Sequence, residues 1–225
     1  MSPNDLSKQY AAIFPFWEKL DPNDKDLFCR STGVSQYKKG TIIHGGNSEC
    51  IGAVLVRTGC VRAHLLSEEG REITLYRLYP GDICMLSASC VLKSITFDVF
   101  VDAEEDSECL IINGNTFSEI ADRNVYVENF ALQTAVSRFS DIMWVLQQIL
   151  FMSYDKRLAI FLWDEMAKTG QTTLKLTQEQ IAKYTGSARE VVSRMLKYFA
   201  AEGIVEHSRG GIRILDKQKL RALIS

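Results

Sequence analysis

The sequence predicts an α+β protein: an N-terminal antiparallel β-roll of jelly-roll type, one long helix, and a compact C-terminal domain of short helices closed by a hairpin. Three observations predict it. Eight of the 14 glycines crowd between Gly33 and Gly81 and punctuate short segments at the spacing of an antiparallel barrel or roll. After Asn113 the apolar period changes from that of a strand to that of a helix. The charge is also split: residues 1–153 hold 13 Lys+Arg against 20 Asp+Glu, and residues 154–225 hold 13 against 8.

Composition bounds the function classes. The chain has 225 residues, 46% apolar and 24% charged, which excludes a disordered or fibrous protein. No apolar run approaches the ~18 residues of a membrane span. Met1-Ser2-Pro3-Asn4-Asp5 lacks the basic and apolar regions of a signal peptide. The six cysteines form no CxxC pair, so a disulfide framework is not expected and a reducing cytoplasm is. Net charges of −7 before Ser153 and +5 after it direct a polyanion to the C-terminal part.

The elements follow in order. Residues 5–30 read as helical, packed outside the roll. Thr41 to His44, Ile51 to Arg57, Cys60 to Leu66, Glu72 to Leu78, Ile95 to Val101 and Cys109 to Ile112 read as strands between turn signals such as Thr58-Gly59, Glu69-Gly70 and Pro80-Gly81-Asp82. Val61, Ala63 and Leu65 alternate with Arg62 and His64, the period of a half-buried strand. From Val125 a helix of about 25 residues carries Leu132, Val136, Phe139, Met143, Leu146 and Leu150 at steps of four and three. Asn129 falls one step earlier on this heptad seam, where a buried Asn can set register. So narrow a stripe predicts a parallel homodimer. The helix is expected to break at Phe151-Met152-Ser153, with Ser153 as the next N-cap and Gly170 as the following stop. The domains expected are 1–124 for the roll, 125–152 for the dimerisation helix and hinge, and 153–225 for the basic domain.

Within 153–225, Thr177 precedes Gln180 and Ser187 precedes Glu190 by three residues. Each pair reads as a capping box, so two helices start ten residues apart around Thr185-Gly186. Ile181, Ala182, Val191, Val192, Met195 and Leu196 supply their shared core. Ile204 to His207 and Ile212 to Leu215 flank Ser208-Arg209-Gly210-Gly211 as a hairpin. This order is that of a winged helix-turn-helix, whose partner is double-stranded DNA. Arg189, Glu190, Ser193 and Arg194 lie in the half of the second helix that enters a major groove. Arg can bond both acceptors of guanine and Glu can accept from cytosine. Thr177, Ser187, Lys197 and Arg209 are placed for the DNA backbone.

The stretch Ser187-Ala188-Arg189-Glu190-Val191-Val192-Ser193-Arg194-Met195-Leu196-Lys197 resembles the recognition helix of the cyclic AMP receptor protein/FNR (Crp/Fnr) family of bacterial transcription regulators. Gly59, Glu69-Gly70, Pro80-Gly81-Asp82 and Phe151-Met152-Ser153 match that family's β-roll turns and hinge, and the likeness runs from about residue 10 to 220. The resemblance implies an effector-sensing roll of the cyclic-nucleotide-binding kind and base contacts by Arg189, Glu190 and Arg194. It also implies a dimer reading two half-sites of bent DNA, and RNA polymerase as a further partner with no surface assigned.

The effector stays unknown. Cyclic-nucleotide binders place a Glu after the Gly-Asp turn and an Arg some ten residues on. Here Leu86 stands near the Glu position, no Arg lies between Gly81 and Arg123, and Lys93 offers one charge without a fork. Cyclic AMP is therefore not expected. A pocket of Met85, Leu86, Val91, Leu92 and Phe97, with Cys84, Cys90 and Lys93 alongside, would favour an apolar or small uncharged ligand. An iron–sulfur cluster needs closely spaced cysteines, and Cys29 alone precedes Cys50, so neither a cluster nor zinc is expected. Cys84 and Cys90 support two readings, a thiol pair that joins on oxidation or two small core residues. His44, His64 and His207 do not cluster and read as structural or surface residues. The alternative function is a small-molecule or thiol-redox sensing regulatory protein acting through protein contacts. An enzyme is not expected, because no His–Cys constellation or phosphate loop is present.

Overall fold

The computed structural model describes residues 3–45, 50–85, 99–208 and 211–224. The chain divides into two compact units, one of residues 1–65 with 75–142 and the other of 66–74 with 143–225.

The first unit is built on a roll whose strands among the described residues are β1 (Thr32–Tyr37), β2 (Ile42–His44), β3 (Ala53–Thr58), β4 (Val61–Leu66), β5 (Glu72–Leu78), β6 (Ile83–Cys84), β7 (Phe100–Ala103) and β8 (Ser107–Ile112). They form two sheets, ordered β1-β8-β3-β6 and β2-β7-β4-β5. The strands pair antiparallel, with Leu55 opposite Leu110 and Ala63 opposite Val101. Val54, Val56, Val61, Ala63, Leu75, Leu78, Val101 and Cys109 form the core of the roll. The predicted turn at Gly59 is required: its φ is +83°, and a Cβ there would stand 2.5 Å from the Asp106 carbonyl oxygen. The expected strand at Ile95 to Val101 is seen from Phe100, and its earlier part lies outside the described residues. Strand β1 was not predicted; Thr32 to Tyr37 mixes Gly, Ser and Gln with its apolar residues and shows no clean alternation.

Residues 5–30 fold as expected, outside the roll, as α1 (Pro3–Ile13), a 3-10 turn (Trp17–Lys19) and α2 (Pro22–Arg30). Asp21 accepts from the Asp24 amide at 2.8 Å and Pro22 opens α2, so the start is capped. With α3 (Gly114–Arg123) these helices bring Tyr10, Phe14, Phe16, Trp17, Phe28 and Phe117 into one cluster with Ala53, Leu55, Leu110 and Ile112. Strand β3 is thus buried on both faces, which is why it reads as a continuous apolar run.

Helix α4 (Val125–Phe151) has 27 residues and is about 40 Å long. Its inner face buries Val127 and Ala131 and stacks the Arg138 guanidinium over Tyr76 at 4.9 Å, with Asp82 at 3.6 Å. The predicted seam lies on the solvent side: Leu132, Val136, Phe139, Met143, Leu146 and Leu150 are all exposed, Val136 at 65% and Phe139 at 62%. Asn129 is exposed with them.

No disulfide framework was expected of the six cysteines. Cys29, Cys60, Cys84 and Cys109 are buried thiols, whereas Cys50 is disulfide-bonded. Pairing depends on how the chain brings sulfurs together, which spacing in the sequence does not show.

Candidate nucleic-acid interface

The second unit contains α5 (Tyr154–Thr169), β9 (Thr173–Leu174), α6 (Gln178–Thr185), α7 (Arg189–Ala201), β10 (Val205–Ser208), β11 (Gly211–Ile214) and α8 (Lys217–Ala222). Leu158, Leu162, Ile181, Val192, Leu196, Phe199, Ile212 and Leu220 form its core. Helix α6 begins on the predicted capping box. The Thr177 hydroxyl accepts from the Gln180 amide at 3.1 Å, and Gln180 Oε1 accepts from the Thr177 amide at 2.9 Å. Helix α6 ends at Gly186, whose φ of +59° lies in the left-handed region.

The second expected capping box does not form. The N-cap of α7 is Ala188, without a side-chain cap, and Glu190 stands at the second helical position rather than the third. Ser187 is committed elsewhere: its amide donates to the Ala182 carbonyl at 2.9 Å and closes α6, and its hydroxyl meets the Tyr154 phenol. Ser153 likewise occupies the predicted N-cap of α5, but its side chain bonds Asp155 instead of the backbone. This bond, more than any other neighbour, lowers the Asp155 carboxyl below the usual carboxylate range.

Val192, Leu196 and Phe199 turn one face of α7 into the core. The opposite face presents Glu190, Arg194 and Lys197 at helical spacing, with Arg189 at the first turn, all four exposed, and Ser193 half-buried beside them. Neither Arg189 nor Arg194 has an ion-pair partner among the described residues. Thr177 is exposed at the start of α6. The wing is present as β10 paired with β11, Val205 opposite Ile214 and His207 opposite Ile212. A third strand, β9, pairs with β11 and was not predicted, since two residues carry no period. Arg209, expected at the tip of the wing, lies outside the described residues.

The residues expected at the effector pocket separate. Cys84 is buried in the roll core, 3.9 Å from the Tyr76 hydroxyl, and Met85 is buried in the aromatic cluster beneath the N-terminal helices. Leu86, Cys90, Val91, Leu92, Lys93 and Phe97 lie outside the described residues. His44 and His64 are buried, and His64 stacks on Phe100 at 5.6 Å. Its Nδ1 is 3.9 Å from Asp102, whose carboxylate Arg62 already grips through Nε and Nη2.

Two contacts at the α6–α7 turn were not read from the sequence. Tyr154 and Arg157, in the first turn of α5, reach the α6–α7 turn, the first through the Thr185 hydroxyl at 3.1 Å and the second through the Thr185 carbonyl at 3.3 Å. Both bonds join residues about thirty positions apart, and no local pattern announces them.

Comparison with known proteins covers both halves of the chain. Residues 156–223 match the Crp-like helix-turn-helix domain, and residues 34–124 match the cyclic nucleotide-binding domain. A crystal structure from Eubacterium rectale, assigned to the crp/fnr family of transcriptional regulators, is 46% identical, spans 95% of this chain and 99% of its own, and superposes with a TM-score of 0.90. A mutant of CooA from Carboxydothermus hydrogenoformans is 25% identical over 94% of this chain and 95% of its own, with a TM-score of 0.69. The cyclic AMP receptor protein of Thermus thermophilus is 23% identical over 209 residues, 93% of this chain and 96% of that protein.

Proposed function

The chain belongs to the Crp/Fnr family of transcriptional regulators, and from that premise we propose that it acts as a homodimer which binds duplex DNA sequence-specifically and answers to a signal received by its roll. The observation that carries the reading is the outer face of α7. Arg189, Glu190 and Arg194 stand in solvent on a helix whose other face is anchored by Val192, Leu196 and Phe199. A charged face held that rigidly suits base edges: Arg for the two acceptors of guanine, Glu for the amino group of cytosine. Ser193 completes that face, while Lys197, one turn on, and Thr177 suit phosphate. The exposed seam of α4 supports the dimer, because so long an apolar stripe on a helix calls for a second helix to cover it. RNA polymerase is the further partner expected of a regulator of this family. The effector is a small molecule of unassigned identity.

The test is selection of duplexes from a randomised library by the wild-type protein, followed by titration of the selected duplex. Arg189→Ala should weaken binding to it by about 1–3 kcal/mol and relax the choice at one base pair. Equal losses on selected and scrambled duplexes would remove the base-reading role from Arg189.

A further inference from the structure

The turn between α6 and α7 is held by more than its own backbone. Thr185 donates its hydroxyl to the Ile181 carbonyl at 2.8 Å, and Gly186 and Ser187 both direct their amides to the Ala182 carbonyl. That closes α6 but leaves the approach to α7 weakly fixed, because the Ala188 N-cap offers no side chain to the helix start. The missing restraint comes from α5. The Tyr154 phenol meets both the Thr185 hydroxyl and the Ser187 side chain, one on each side of Gly186. Arg157 lies over the Tyr154 ring at 5.3 Å and donates through Nη1 to the Thr185 carbonyl. Ile149, near the end of α4, closes the remaining side, its Cδ1 3.2 Å from where a Cβ on Gly186 would stand.

This is a costly way to pack a turn. The Arg157 Nε is buried with no hydrogen-bond partner among the described residues, and burial lowers the affinity of the guanidinium for its proton. An apolar side chain of similar size would fill the space without that penalty. The arrangement does fix direction: a stacked guanidinium and a phenol with two partners define one orientation of the turn, and Arg189 follows it by two residues.

We propose that Tyr154 and Arg157 are positioning residues for base readout, clamping the Thr185–Ser187 turn from the first turn of α5 so that Arg189 and Glu190 enter the groove in one fixed direction. The proposal rests on the base-reading function of α7. It makes the clamp a determinant of specificity rather than of affinity for DNA at large, since phosphate contacts tolerate a reorientation that bidentate base contacts do not.

The experiment compares the full-length wild type with Tyr154→Phe, Arg157→Met and Arg157→Lys. Each is titrated against the duplex that the wild type selects from a random library and against a scrambled duplex of the same composition, with thermal unfolding recorded in parallel. Tyr154→Phe removes one oxygen and should weaken binding to the selected duplex about fivefold, the worth of a hydrogen bond near 1 kcal/mol. Binding to the scrambled duplex should stay within about twofold, inside the salt-driven background. Arg157→Met should lose more of the ratio than Arg157→Lys, which keeps a donor for the Thr185 carbonyl. If Arg157→Met fails to fold, Tyr154→Phe decides the matter. Parallel losses on both duplexes, or an unchanged ratio in Tyr154→Phe, overturn the clamp and leave the base-reading function standing. A wild type that selects no sequence overturns that function and the clamp with it.

Discussion

Two side chains of the roll, buried Arg62 and half-buried Glu104, carry charge out of full contact with water. Arg62 is 5% exposed and holds Asp102 through two hydrogen bonds. Arg62→Met would leave the Asp102 carboxylate without that partner and should cost about 3 kcal/mol in urea unfolding, a loss that Arg62→Met with Asp102→Leu should largely restore. Glu104 poses the opposite case. Desolvation raises its carboxyl, against the attraction of Arg77, a hydrogen bond from Cys60 and the attraction of Arg62. A carboxyl whose native pKa is raised holds more protons folded than unfolded, so its contribution to stability declines as pH climbs from below its ordinary value of 4.5 through the raised one. Glu104→Gln should therefore unfold at a higher temperature than the wild type at pH 7.5, and the advantage should vanish at pH 4.

Whole elements divide in the same way between local and distant partners. The Thr177 box was legible because both of its bonds lie within three residues, and Thr177→Ala should cost about 1 kcal/mol of stability by calorimetry. The Ser187 box had the same pattern and failed, since the closing turn of α6 and Tyr154 had already taken Ser187. Strands β3 and β4 showed in the sequence through their alternation or their run of apolar residues, whereas β1 and the two-residue β9 offered neither. The α4 seam was legible for a different reason: its steps of four and three persist over Leu132 to Leu150, and the structure leaves every one of those side chains exposed. Phe139→Glu should shift the protein to monomers in analytical ultracentrifugation, as a buried unpaired charge opposes a paired seam.

At the scale of the molecule, the uneven charge sets how binding responds to its medium. The +5 of residues 154–225 accompanies the face on which Arg189, Arg194 and Lys197 stand. Affinity for the selected duplex should fall linearly on logarithmic axes as salt rises. Lys197→Ala should make that slope shallower by about 1, the share of a single neutralised phosphate. Fold class and the gathering of Arg189, Glu190 and Arg194 on one exposed helix were readable from sequence because each rests on periodicity or on a contiguous motif. The contacts behind the proposed clamp were not, because Tyr154 and Thr185 meet only after α5 and α6 have packed.

The greasy ridge from Leu132 to Leu150 runs about 27 Å along its rod. On the proposed pairing, newly made chains would bear it uncovered until each met a twin, and an orphan would be the form most exposed to chaperones, proteases and mispairing. The supply of working regulator should then rise more steeply than the rate of synthesis, as any product of two-body encounter does at low concentration.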